Sequence, residues 1–186
     1  MKSLLAILAL SWLGLAPAAR AADADVLAAW KRHEIDFTYM GFTTRYSCEG
    51  LRDKMRVLLK AAGARPDFDV SVRACAAMPG GVTEFPRVRL VFFAPELPVP
   101  GSREVGEPAP SRWTPVRLAR RQPRELEPGD CELVEQFRDR VLIAFTSRNL
   151  RHDINCIPHQ LSGSSFDLSV EVLQGLPPPD LPADAR

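Results

Sequence analysis

Several features are scarce in this 186-residue chain, and each scarcity excludes a class of protein. Four cysteines are too few for a small disulfide-rich miniprotein. The 24 Lys and Arg residues nearly balance the 23 Asp and Glu residues, so no overall charge directs the chain to nucleic acid or to an anionic membrane. With 46% hydrophobic and 25% charged residues, the composition excludes a wholly disordered or collagen-like chain and favours one compact domain or two small repeated units.

Motifs of catalysis and cofactor binding are also missing from the sequence. The chain has no Cys-x-x-Cys pair, no Gly-x-Ser-x-Gly nucleophile elbow and no glycine-rich phosphate loop. We therefore predict no cofactor and no metal, and we assign no catalytic residue.

The sequence contains no long apolar run, and the apolar run near the N-terminus is short. Residues 4–15 are mostly apolar, follow the positively charged Lys2, and precede small residues at Ala19 and Ala21. This order is typical of a secretory signal peptide, which we place at residues 1–21. The alternative is a membrane anchor, but spanning a bilayer needs roughly 20 apolar residues. We therefore predict a periplasmic protein, or alternatively an extracellular one, without an integral membrane span.

Export changes the interpretation of the four cysteines, because disulfides persist in oxidising compartments. We predict that Cys48, Cys75, Cys131 and Cys156 form two disulfides, for which three pairings are possible. A catalytic pairing of Cys156 with His159 is the alternative, and a disulfide at Cys156 would exclude it.

Two stretches show the apolar periodicity of a helix, and each begins at a cysteine that follows a residue favoured as an N-cap. The first stretch follows Ser47 and stops at Gly63, and the second follows Asp130. The apolar face of the first comprises Leu51, Met55, Leu58, Leu59 and Ala62, and that of the second comprises Val134, Phe137, Val141, Leu142 and Phe145.

A shift of 83 residues superimposes the two helical patterns, with Cys48 on Cys131 and Arg65 on Arg148. Each pattern is followed by an extended stretch that holds a second cysteine, and then by a further strand at 87–93 or 166–173. We predict an α+β fold made of two strand-helix-strand-strand units, an internal duplication with antiparallel sheet and two main helices. In such a repeat the disulfides are Cys48–Cys75 and Cys131–Cys156. The alternative is a single α+β domain whose two helices merely look alike.

The remaining segments complete the domain organisation. Alternating residues from Ile35 to Tyr46 predict a long central strand that bends at Gly41, and residues 24–33 predict a short helix before it. The first half spans 22–95, a proline-rich connection spans 96–112, the second half spans 113–176, and a disordered tail spans 177–186.

One basic cluster is a candidate site for an anion or a protein partner. Arginine forks beside an indole can hold a phosphate, a carboxylate or an acidic partner. The simpler interpretation is a solvated surface balanced by Glu125, Glu127 and Glu132. The candidate residues are Trp113, Arg117, Arg120, Arg121 and Arg124, with Arg112 beside them.

The three histidines, His33, His152 and His159, offer little more. His152 and His159 are seven residues apart, and an odd separation sends side chains to opposite faces of a regular strand. We interpret all three as surface or locally bonded histidines.

The segments FTYMGFTTRYSCEGL at 37–51 and CIPHQ at 156–160 resemble an uncharacterised family of exported proteobacterial proteins. The resemblance implies a periplasmic setting and supplies no activity or catalytic residue. From the sequence we expect a non-catalytic binding or accessory module of the cell envelope, with an envelope protein or an anionic ligand as partner. The alternatives are a small hydrolase-like periplasmic enzyme and a protein that binds a metal or a small ligand.

Overall fold

The computed structural model describes residues 24–73, 81–98 and 106–177. Their order is strand, helix, strand, strand, followed by the same order again, and this confirms the predicted α+β class. The predicted signal peptide, Cys75 and the predicted tail from 178 onward lie outside the described residues. The elements are β1 (Val26–Thr38), α1 (Cys48–Ala62), β2 (Asp69–Arg73), β3 (Arg87–Glu96), β4 (Glu107–Ala119), α2 (Cys131–Arg140), β5 (Ser147–Asn155) and β6 (Ser165–Gly175).

The strands form one six-stranded antiparallel sheet in the order β2-β3-β1-β4-β6-β5. β1 and β4 lie at its centre, so β1 is central as predicted. They pair with each other only over Val26–Trp30 and Glu107–Ser111. Beyond that stretch β1 pairs with β3, and β4 pairs with β6. Each half therefore forms its own three-stranded unit, joined to the other by a short central ladder.

The register of this central ladder matches the 83-residue offset of the two helices. Leu27 pairs with Pro110, which lies 83 positions later. Val26 pairs with Ser111, and Ala28 pairs with Ala109. Because Ala109 and Ser111 are the 83-residue equivalents of Val26 and Ala28, these two pairs are equivalent and lie on either side of the Leu27–Pro110 pair. This is the register that a two-fold relation between equivalent strands requires.

α1 follows its sequence signals closely. The Ser47 side chain accepts a hydrogen bond from the Gly50 N–H at 2.9 Å, which satisfies a donor of the first turn. Gly63 ends the helix with φ 84°, in the left-handed region that glycine adopts without strain. The five apolar residues predicted on the inner face are all buried against the sheet, together with Cys48.

α2 is shorter than the predicted pattern and ends at Arg140. Leu142–Ala144 form a separate 3-10 turn, and Phe145 is already extended towards β5. The side chains of Val141, Leu142 and Phe145 are nevertheless buried, as their periodicity predicts.

The predicted cap at Asp130 is wrong in one respect, because its carboxylate makes no hydrogen bond to the first turn of α2. It binds Tyr46 and Lys54 instead.

Two local predictions are wrong. Residues 24–33 are not a helix, since β1 begins at Val26 and its backbone is paired with strands on both sides at Ala29 and Trp30. Tertiary pairing overrides the local preference here. The predicted long strand also stops at Thr38, before the bend expected at Gly41.

The predicted connection 96–112 is shorter in the structure, because Glu107–Arg112 belong to β4. β4 tolerates Pro108, Pro110 and Pro115 because each lies where the strand has one partner strand only. A proline lacks the N–H that a second neighbouring strand would need.

Cys131 and Cys156 are joined by a disulfide with an S–S distance of 2.01 Å, as the repeat predicts. Cys48 is also disulfide-bonded, and its predicted partner Cys75 lies outside the described residues. No helix in the described part of the chain is long and apolar enough to cross a membrane.

Candidate ligand-binding cleft

One face of α2 holds the segment that follows β1. The buried Glu132 carboxylate accepts hydrogen bonds from the backbone N–H groups of Phe42 and Thr43, both at 2.9 Å, and from the Tyr39 hydroxyl at 3.3 Å. One helical turn later, Gln136 exchanges two hydrogen bonds with the backbone of Met40. These contacts fix α2 against the end of β1.

Arg140, one further turn along α2, completes this polar face. Its guanidinium donates to the Thr38 backbone carbonyl at 2.8 Å and lies over the Phe37 ring at 5.0 Å from the centroid. Glu132, Gln136 and Arg140 are spaced four residues apart, so they share one side of the helix. The same spacing places the Arg140 guanidinium beside β1.

A second buried network lies at the start of α2. The Asp130 carboxylate accepts hydrogen bonds from the Tyr46 hydroxyl and from Lys54, the latter at 2.7 Å. Burial raises the pKa of Tyr46 well above its usual range, and the charge of Asp130 raises it further. Burial, followed by the charge of Glu132, raises the pKa of Tyr39 in the same way. Both phenols therefore stay neutral and act as hydrogen-bond donors.

An open cleft of about 600 Å³ lies between β1, the end of β3 and the turn that follows α2. We call it the β1–α2 cleft. Its size lies within the range of small-molecule sites. Lys31, His33 and Ile35 point into it from alternate positions of β1. Its other lining residues are Glu34, Glu96, Arg140, Ile143, Ala144, Phe145 and Thr146.

His33 lies on the inner wall of the cleft. Its ring stacks on Phe92 with the centroids 5.3 Å apart. Burial lowers the pKa of His33 below its usual value, the positive charge of Lys31 lowers it further, and Glu96 opposes both effects. The imidazole is therefore neutral at pH 7 and presents one donor and one acceptor.

The acidic groups of the cleft are already paired. Lys31 forms an ion pair with Glu96 at 2.8 Å, and Glu34 pairs with Arg32 and Arg89. Arg140 is different, since it forms no ion pair with any carboxylate among the described residues. The cleft therefore carries one positive charge that lacks a counter-charge.

The predicted basic cluster is dispersed along β4 and the turn that follows it. Arg117 pairs with Asp167 on the neighbouring strand, and Arg112 pairs with Asp25. Trp113 contacts Arg148, whose guanidinium lies 4.3 Å from the ring centroid. Arg120, Arg121 and Arg124 are exposed beyond the end of β4. Arg117 also borders a second groove of about 400 Å³, which is lined by Arg151, His152, Asp153, Asp167 and Ser169.

The other histidines lie away from the β1–α2 cleft. His152 is exposed and contacts Arg138 at 3.3 Å. His159 is also exposed and contacts the Phe42 ring at 5.6 Å. In the part of the chain that the structure describes, no three His, Cys, Asp or Glu residues converge as a metal site would need.

Sequence reasoning named His33 but missed Lys31, Arg140 and Ile143. The sequence contained one usable signal, the polar spacing of Glu132, Gln136 and Arg140 beside an apolar helix face. That spacing identifies a helix side with a polar partner but does not identify β1 as the partner. Comparison with known proteins gives no match to any family model, curated protein or solved structure.

Proposed function

We propose that this chain is an exported, non-catalytic binding module of the cell envelope whose ligand occupies the β1–α2 cleft. The observation that carries the proposal is Arg140, a partly buried cation that lines this cleft and has no paired carboxylate among the described residues. A partly buried charge without a counter-charge is costly, and a bound ligand would compensate it.

The proposed location rests on two features of the chain. The Cys131–Cys156 disulfide is of the kind that persists in oxidising compartments. The pattern at 1–21 predicts a signal peptide. Together they favour the periplasm, with the extracellular space as the alternative.

We also propose that the two halves arose by duplication. The 83-residue offset appears in the two helices and again in the register of β1 with β4. The chemistry of the cleft is not repeated, however, because Thr114 and Val116 occupy the positions equivalent to Lys31 and His33. A single site of this kind per chain is therefore expected.

A small hydrolase-like enzyme is the second candidate, and the neutral imidazole of His33 in the cleft is the observation that favours it. Turnover of a hydrolase substrate panel that disappears in His33→Gln would favour this candidate. No turnover by the wild-type protein would favour the binding module.

The binding proposal is tested by recovering a ligand from a proteobacterial periplasmic extract and identifying it by native mass spectrometry. Ile143 is 76% exposed, so Ile143→Trp should fill the cleft without disturbing the core. Leu161→Trp is the matched control, at a side chain that is 57% exposed in a different loop. We expect one bound species on wild type and on Leu161→Trp, and none on Ile143→Trp. Equal recovery on all three, or recovery on none, would contradict the proposal.

A further inference from the structure

The charge pattern of the β1–α2 cleft restricts the ligand to one chemical class. A cationic ligand has no unpaired carboxylate to bind among the lining residues, because Glu96 is paired with Lys31 and Glu34 is paired with two arginines. A neutral ligand would leave Arg140 uncompensated. One unmatched positive charge therefore favours an anion with a single negative charge.

The donor geometry also favours a carboxylate. One terminal nitrogen of Arg140 donates to the Thr38 carbonyl at 2.8 Å, and among the described residues the guanidinium makes no other hydrogen bond. Arginine binds carboxylates through parallel N–H donors, and such charge-assisted hydrogen bonds are about twice as strong as neutral ones. The guanidinium also lies over the Phe37 ring, 5.0 Å from its centroid, which keeps it beside β1.

The wall next to Arg140 is apolar. Ile143, three positions further along the chain, is 76% exposed, and it lines the cleft with Ile35, Ala144 and Phe145. The Phe145 ring stacks on the buried Phe92 behind it. Covering this exposed isoleucine with an apolar group of a ligand would remove apolar surface from water and so stabilise the complex. The cleft therefore offers an anion site and an apolar surface side by side.

We infer that the β1–α2 cleft binds a monocarboxylate that carries an apolar group, with the carboxylate on Arg140 and the apolar group against Ile143. The inference rests on the proposed binding function and names its ligand class. Two sources share this chemistry, namely a free aliphatic acid and the C-terminal residue of a peptide.

Isothermal titration with four probes tests the class and separates the sources. The probes are octanoate, octan-1-ol, N-acetyl-Ala-Ala-Leu as the free acid, and the same peptide as its amide. We expect saturable binding of at least one acid, and binding at least about tenfold weaker for its uncharged counterpart, because a charge-assisted hydrogen bond is lost. Binding of octanoate alone assigns an aliphatic acid, and binding of the peptide acid alone assigns a peptide C-terminus. Equal binding of acids and uncharged probes, or no binding of either acid, would overturn the inference.

Variants connect the binding to the two named side chains. Arg140→Gln should weaken acid binding at least about tenfold, and Arg140→Lys should retain part of it. Because Arg140→Gln also removes a structural hydrogen bond, Ile143→Asp provides an independent test at an exposed position. It places a negative charge next to the carboxylate and should reduce acid binding by about tenfold or more, whereas Leu161→Asp should not. Unchanged affinity in both cleft variants would contradict the assignment.

The failure of this inference is distinguishable from failure of the proposed function. If the native ligand recovered from the extract is neutral, cationic or a phosphate, and Ile143→Trp still abolishes its recovery, the binding function stands and the ligand class is wrong. If nothing is recovered from the extract and no acid binds, both are wrong.

Discussion

Trp113 and Arg148 lie in cation-π contact with a separation of 4.3 Å, and Trp30 and Arg65, each 83 residues earlier, make the same contact at 5.4 Å. The first pair lies in the second half of the chain and the second pair in the first half. Both tryptophans border a small apolar cluster of Ala28, Ala109 and Leu173, on the side of the sheet opposite the helices. The repeated contact makes the outer face of the central ladder a second, smaller core.

This outer cluster predicts a steric effect at Gly175. A Cβ added there would lie 2.3 Å from the Trp30 ring. Gly175→Ala should therefore lower the free energy of unfolding by about 1–3 kcal/mol, because overpacking displaces the indole. In a double-mutant cycle measured by urea unfolding, Gly175→Ala should cost much less unfolding free energy in the Trp30→Leu background than in wild type. Strictly additive effects would show that Trp30 does not pack on Gly175.

The buried carboxylate of Glu132 predicts a loss of stability in Glu132→Ala. The change leaves the two backbone N–H groups of Phe42 and Thr43, and the Tyr39 hydroxyl, without their acceptor. The free energy of unfolding should fall by about 2–4 kcal/mol. Each unsatisfied buried group costs about 1–3 kcal/mol, and water can reach some of these groups. Glu135→Ala, on the same helix, is the control and should change stability by less than about 0.5 kcal/mol. Equal effects of the two substitutions would refute the role of Glu132.

The lowered pKa of His33 predicts a pH dependence of stability. Burial is the main cause, and the charge of Lys31 adds to it, while Glu96 acts in the opposite direction. Because the folded state binds this proton less readily than the unfolded state, stability should fall as the pH decreases through 6.5, the unfolded value, towards the folded pKa. Urea unfolding at pH 7.5 and pH 5.5 should show a larger loss for wild type than for His33→Gln. The same loss in both proteins would mean that His33 is not responsible.

The two disulfides can be tested by mapping the crosslinks and by measuring the stability lost when one of them is removed. Non-reducing peptide mapping should find Cys131 joined to Cys156 and Cys48 joined to Cys75. Replacing Cys131 and Cys156 by serine should lower the free energy of unfolding by about 3.5 kcal/mol, on the chain-entropy model for a 25-residue separation. A peptide that joins Cys75 to Cys131 would overturn the pairing.

The elements governed by local signals could be predicted from the sequence. α1 begins at its Ser47 cap and ends at Gly63 because both signals act within a few residues of the chain. The strict alternation from Phe166 to Val172 predicts β6, and the 83-residue repeat, rather than the cysteines alone, predicts the Cys131–Cys156 bond. For the helix and the strand, the pattern and its physical cause lie in the same segment.

The rest depends on partners that are distant in the sequence. Residues 26–33 form a strand because β3 and β4 pair with them, and the three prolines fit in β4 because each lacks a second neighbouring strand. Arg140 reaches the cleft only because Glu132 and Gln136 fix α2 against residues about 90 positions earlier. No local pattern around His33 indicates this approach, so the β1–α2 cleft could not be derived from the sequence.

Chemical-shift mapping of the backbone amides during a titration with octanoate and with the acetylated tripeptide acid would locate the binding site on the folded protein. If a monocarboxylate occupies the β1–α2 cleft, the largest changes should occur at Lys31, His33, Arg140 and Ile143, and they should vanish in Ile143→Trp. Changes centred on the groove of Arg117 and Asp167, or no saturable change with either acid, would contradict this prediction.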